Sequence, residues 1–109
     1  MESLEEWVVA LRTSDKVILV EGKQDAAALR ELGITGVVVL KGRPLFETLE
    51  NIEGDEFIIL TDLDAAGKGL YKEVKQLLAR RGKKVDTVFR EFLLRETKLS
   101  HIEGLPTYL

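Results

Sequence analysis

Apolar residues recur along this chain in two rhythms. Between Leu4 and Leu11 the spacing is helical, with Leu4, Trp7, Val8 and Leu11 on one face. Ser3, with Glu6 three residues on, predicts a capping box at that helix's start. Lys16 to Val20 (KVILV) is instead a short continuous apolar run, the pattern of a strand covered on both faces. Gln24 to Leu32 returns to helical spacing, and Gly33 supplies the stop. Val37 to Leu40 predicts a second buried strand, broken by Lys41-Gly42-Arg43-Pro44. Leu45 to Asn51 follows as a short helix with Pro44 at its start. Glu56 to Thr61 predicts a third strand. Ala66 to Arg81 predicts a long helix carried by Leu70, Val74, Leu77 and Leu78 and closed by Gly82. Lys84 to Phe89 reads as a fourth, weaker strand. The tail from Arg90 opens with a short amphipathic piece, and Ser100 to Pro106 reads as irregular.

Strands alternating with helices over this length predict an α/β fold: a parallel sheet of about four strands with helices on both faces, in a Rossmann-like three-layer arrangement. With 109 residues there is material for one core. The reading is a single domain, 1–109, with its core over 14–90 and a tail at 91–109. No repeat, linker or low-complexity segment interrupts it.

Composition adjusts this picture in three ways. There is no cysteine, which excludes disulfides and thiolate metal sites. No stretch approaches the length of a membrane span, and Met1 to Arg12 lacks the apolar run of a secretory signal, so a cytoplasmic location is expected. The net charge of −3 argues against a simple electrostatic grip on nucleic acid. A carboxylate cluster offset by a bound cation would account for three negatives.

Such a cluster is visible. In open parallel sheets, ligands bind beyond the carboxyl ends of the strands. Glu21 directly follows the first strand, and Asp62 and Asp64 follow Thr61 at the end of the third. Residues two apart in extended chain point to the same side, so Asp62 and Asp64 converge. Three carboxylates together repel, and a hard divalent cation relieves the repulsion; oxygen ligands with retained water suit Mg²⁺, with Mn²⁺ as a substitute. Each acid also has a plainer reading: Asp64 as an N-cap, Asp62 as a strand-ending turn residue, Glu21 as a solvated loop acid.

The stretches VILVEGKQDAAAL (Val17 to Leu29) and FIILTDLDAAGKGL (Phe57 to Leu70) resemble the Toprim domain. That domain is shared by topoisomerases, bacterial-type primases and several small nucleases, including ribosomal-RNA maturation nucleases. The resemblance implies that Glu21 is the general acid or base and that Asp62 and Asp64 carry Mg²⁺. Topoisomerase versions often place a third aspartate where this chain has Ala66, which favours a primase- or nuclease-like site. The chain also lacks a nucleophilic-tyrosine domain.

Around the acids, Lys23 lies near a helix N-terminus, Lys41 and Arg43 on the loop after the second strand, and Lys68 at the head of the long helix. Lys23 and Arg43 are the candidate phosphate contacts. Asp25 matches the family's second acid and is expected to orient Lys23 or to sit in the first helical turn. Gly22 and Gly67 are expected to permit close backbone approach, and Gly42 to form a turn. His101, the only histidine, is expected to cap or pack, with a site contact only if the tail folds over the sheet's carboxyl end.

Other acidic-site folds do not match. A receiver domain carries its acid pair after the first strand, a haloacid dehalogenase carries Asp-x-Asp there, and Gly67-Lys68-Gly69 lacks the spacing of a P-loop. The expected function is Mg²⁺-dependent phosphodiester chemistry on RNA or DNA, most simply as a small nuclease. The alternatives are a non-catalytic nucleic-acid-binding module, with or without a protein partner, and a primase-like nucleotidyl transferase.

Overall fold

The computed structural model describes residues 1–109. Val17–Val20, Val37–Val39, Glu56–Leu60 and Lys84–Asp86 form strands β1 to β4 of one parallel sheet, in the order β2-β1-β3-β4. Five α-helices connect or flank them: α1 (Leu4–Thr13), α2 (Lys23–Glu31), α3 (Leu45–Glu50), α4 (Ala65–Arg80) and α5 (Val88–Glu96). A 3-10 helix, Ile102–Tyr108, closes the chain.

Period-2 alternation divides the central strands between two apolar layers. Ile18, Val20, Ile58 and Leu60 face α1, α2, α5 and the 3-10 helix. Leu19, Phe57 and Ile59 face α3 and α4 through Leu49, Val74 and Leu78. Both faces are thereby covered, which is why β1 and β3 read as unbroken apolar runs.

Three features differ from the sequence reading. The fourth strand ends at Asp86, because its Oδ1 accepts the Val88 N–H at 3.0 Å and turns the chain into α5. Val88 and Phe89 are therefore helical, and Phe89 packs edge-on against Trp7. At α1, Ser3 Oγ accepts the Glu6 N–H, but the Glu6 carboxylate meets the Ser3 hydroxyl rather than its backbone, so the box is only half formed. The tail is not irregular. Ile102 and Leu105 are fully buried, and their spacing of three is the 3-10 period that lays the segment against α2. No helix is long and apolar enough to cross a membrane.

Candidate functional site

The strand order places a topological switch at β1 and β3. From β1 the chain crosses outward to β2, and from β3 it crosses the other way to β4, so the loops leaving their carboxyl ends diverge and open a crevice. Val20 pairs with Leu60 in register, which brings the residues just beyond them together. Glu21 Oε1 accepts the Asp62 N–H at 3.0 Å. The crevice has a volume of about 530 Å³, and its wall includes Glu21, Lys23, Asp25, Lys41, Asp62 and Glu103.

Each acid is oriented by a backbone donor. Asp64 caps α4, its Oδ1 accepting the Gly67 N–H at 2.8 Å. Asp62 Oδ1 accepts the Ile102 N–H at 3.0 Å. Asp25 Oδ2 reaches back to the Gly22 N–H at 3.0 Å, so it sits in the first turn of α2 and braces the loop after β1. The N-cap reading of Asp64 and its place at the site hold together, because the cap uses one oxygen and leaves the other beside His101. His101 Nε2 lies 3.3 Å from Asp64 Oδ2. One donor atom from each of Asp62, Asp64 and His101 lies within 4.8 Å of the other two.

Beneath the acids lies a cation. Arg90 is only 3% exposed and donates to the Thr61 carbonyl, to Thr61 Oγ1 (2.9 Å) and to the Asp62 carbonyl (2.8 Å). Its guanidinium stacks over the Tyr71 ring at 4.6 Å. Thr61 in turn donates to the Gly67 carbonyl at 2.8 Å. Gly67 is a steric requirement of this junction: a Cβ there would fall 1.9 Å from the Asp62 carbonyl oxygen. Gly22 is not required in the same sense, since a Cβ would meet only Asp25 Oδ2 at 3.8 Å.

Burial raises the pKa of Glu21; the Asp62 N–H opposes the shift, and the charges of Asp62, Asp25 and Asp64 add to it. Asp25 is raised by burial against the Gly22 N–H; the charges of Asp62 and Glu103 push the same way, and the Glu103 N–H opposes them. Burial lowers Arg90, and neighbouring Tyr71, Glu21, Asp62 and Asp64 oppose that. The site is thus a partly desolvated concentration of negative charge with one buried counter-charge.

Of the residues singled out by sequence, Glu21, Asp62 and Asp64 share the carboxyl end of the sheet. Glu21 bonds to the Asp62 backbone and is not one of the three residues whose donor atoms cluster most tightly. Lys23 is exposed on the crevice wall, as is Lys41. Arg43 and Lys68 are exposed and lie outside that wall. Sequence reasoning missed Arg90, which carries no local signal within its amphipathic helix. It left His101 conditional on where the tail folds.

Residues 16–90 match the family model of the Toprim domain, and the chain belongs to that family. Toprim domains bind divalent metals, and membership implies a metal-dependent, nucleic-acid-related function. The chain is 31% identical to a UPF0292 protein of Methanocaldococcus jannaschii over all of its own length and 88% of that protein. A UPF0292 protein of Thermococcus sibiricus is 39% identical over 94% of this chain and 82% of its own. A solved structure of a protein from Aquifex aeolicus superposes with a TM-score of 0.89 at 36% identity, covering 95% of this chain and 99% of that one. The donor set fits a divalent cation: two carboxylates each hold one oxygen in place and leave the other available, and an imidazole nitrogen lies beside them.

Proposed function

We propose that this protein carries out Mg²⁺- or Mn²⁺-dependent phosphodiester chemistry on nucleic acid, most simply hydrolysis. The observation that carries the reading is a crevice whose wall bears Glu21 and Asp62 together with Lys23 and Lys41, with a carboxylate oxygen of Asp64 beside Asp62 at its edge. A bound divalent cation supplies charge stabilisation on the phosphoryl oxygens. Asp62 and Asp64 hold it, with Glu21 able to contribute an oxygen. Glu21, oriented by the Asp62 N–H, transfers the proton. Lys23, in the first turn of α2, steadies the phosphate where that helix's N–H groups also favour an anion. Arg43, on the same loop as Lys41 but farther out, is an outer phosphate contact.

The test is incubation with structured RNA, single-stranded DNA and duplex DNA, with Mg²⁺, with Mn²⁺ and with chelator. Metal-dependent products are expected. Glu21→Gln should slow turnover about a hundred- to ten-thousand-fold while leaving affinity nearly intact. Lys23→Ala should weaken binding and flatten its salt dependence, and Arg43→Ala should do so less. A Glu21→Gln protein that cleaves like wild type would remove the catalytic role. Binding without turnover on all three substrates would select the non-catalytic module.

A further inference from the structure

The tail is fastened to the site on both sides of His101. The Ser100 carbonyl accepts the Leu63 N–H at 2.8 Å, and the Ile102 N–H donates to Asp62 Oδ1 at 3.0 Å. Residue 101 between them is extended (φ −129°, ψ 132°), so its side chain points opposite to that of Ile102. Ile102 is fully buried among the core residues beside α2, and the imidazole is turned outward to Asp64. His101 Nδ1 lies 3.1 Å from Ser100 Oγ, a partner that can hold that nitrogen protonated and leave Nε2 as the donor atom. The 3.3 Å between Nε2 and Asp64 Oδ2 is also the separation expected of two atoms bound to one ion. Metal–ligand bonds of about 2.1 Å meeting at octahedral or tetrahedral angles put their ends roughly 3.0–3.4 Å apart.

We propose that Asp62, Asp64 and His101 form a mixed oxygen–nitrogen centre that prefers a first-row transition ion, Mn²⁺ over Mg²⁺, with the C-terminal segment supplying the nitrogen. The inference rests on the metal-dependent reading above and narrows which ion that site takes. Its chemistry is that of the donors. Mg²⁺ binds carboxylate oxygens and water and gains little from imidazole, whereas an added nitrogen raises affinity for transition ions. The surrounding structure suits the role, because the backbone on both sides of His101 is fastened by bonds that do not involve its ring. Removing the ring therefore leaves Ser100 and Ile102 fastened.

The experiment uses the full chain and the metals alone. Titration calorimetry with Mn²⁺ and with Mg²⁺ should show at least tenfold tighter binding of Mn²⁺ to wild type. His101→Ala should weaken Mn²⁺ about tenfold or more and Mg²⁺ by no more than about twofold, while the melting temperature in chelator stays at the wild-type value. Pulsed electron paramagnetic resonance of the wild-type Mn²⁺ complex should show nitrogen modulation from a coordinated imidazole, a readout that needs no variant. Absence of that modulation, or an equal loss of both metals in His101→Ala, would overturn the nitrogen ligand while leaving an all-carboxylate centre intact. If wild type binds neither ion, the metal site itself fails, and with it the function proposed above.

Discussion

The two ends of the sheet treat charge in opposite ways. Near the amino ends of β1 and β3, Lys16 lies 2.7 Å from Asp86 and 3.3 Å from Glu56, so both of these acids have a partner of the other sign. At the carboxyl end, Glu21, Asp25, Asp62 and Asp64 gather around backbone N–H donors, and the nearest buried cation, Arg90, bonds to carbonyls instead of carboxylates. An acid paired with lysine has its electrostatic need met within the fold. Acids held in place by N–H groups keep their charge and one oxygen for something outside the chain. The contrast separates acids that tie strands together from acids assembled to receive a cation.

The sharpest way to break this contrast is to remove Arg90. Without it, the Thr61 and Asp62 carbonyls lose their buried donor and the acid cluster loses its only nearby buried counter-charge. Arg90→Ala should cost about 3–5 kcal/mol, read as a lowered denaturation midpoint. Arg90→Lys should recover part of this, because an ammonium retains the charge but not the planar fork. If Arg90→Ala melts like wild type, the guanidinium does not hold the Thr61–Asp62 loop.

A second measurement adds a divalent cation. A metal that binds only the folded state at about a hundred times its dissociation constant adds roughly 2.7 kcal/mol. The melting temperature should rise accordingly with millimolar Mg²⁺ or Mn²⁺, and Asp62→Asn or Asp64→Asn should abolish the rise. Lys16→Met, at the other end, should leave it untouched. A rise that survives both aspartate substitutions would place the metal elsewhere.

pH should distinguish the ends by direction. Burial holds Glu21 and Asp25 above their ordinary values of 4.5 and 3.8, so the folded state binds more protons than the unfolded one just above those values. In chelator, stability should therefore fall as pH rises through that window, and Glu21→Gln should flatten the fall. The Asp86 hydrogen bond raises Lys16 above 10.5; its contribution is complete below that pH and is lost as pH climbs through the raised value. A metal-free protein whose stability climbs between pH 4.5 and neutrality would contradict the assignment of strain to the carboxyl end.

The smallest effect belongs to the paired end itself. The Lys16 side chain is 28% exposed, so solvent screens much of its attraction. Lys16→Met should cost about 0.2–1 kcal/mol in urea denaturation, shrinking in high salt.

These ends were unequally visible in sequence. Glu21 and Asp62 could be located because each directly follows an apolar run, and a parallel sheet puts such positions at one end whatever the strand order. Neighbouring of β1 and β3 gave them a shared crevice. Arg90 and His101 were not visible in this way. The hydrogen-bond partners of Arg90 lie 28 and 29 positions away, His101 meets Asp64 on a different loop, and only packing decides which way α5 and the tail turn. For a related reason a loop's sequence does not say which of its cations turn inward: Lys41 lines the crevice wall, and Arg43 lies outside it. The boundary at Asp86 was missed because Val88 and Phe89 suit a strand or a helix equally until the aspartate's bond to the Val88 N–H is known.

Trp7 gives the molecule a built-in optical reporter. It is the only tryptophan, fully buried, and its indole N–H donates to the Phe89 carbonyl across 82 positions of chain at 2.9 Å. Indole emission shifts to longer wavelength when the ring enters water, so fluorescence tracks whether α1 remains seated on α5. Trp7 lies outside residues 16–90, and Phe89 stands at the edge of that span. The dye therefore watches the seam between the shared Toprim core and the helix laid over it. Because α5 also carries Arg90, loosening at the metal site should be visible as a colour change at the opposite terminus of the chain.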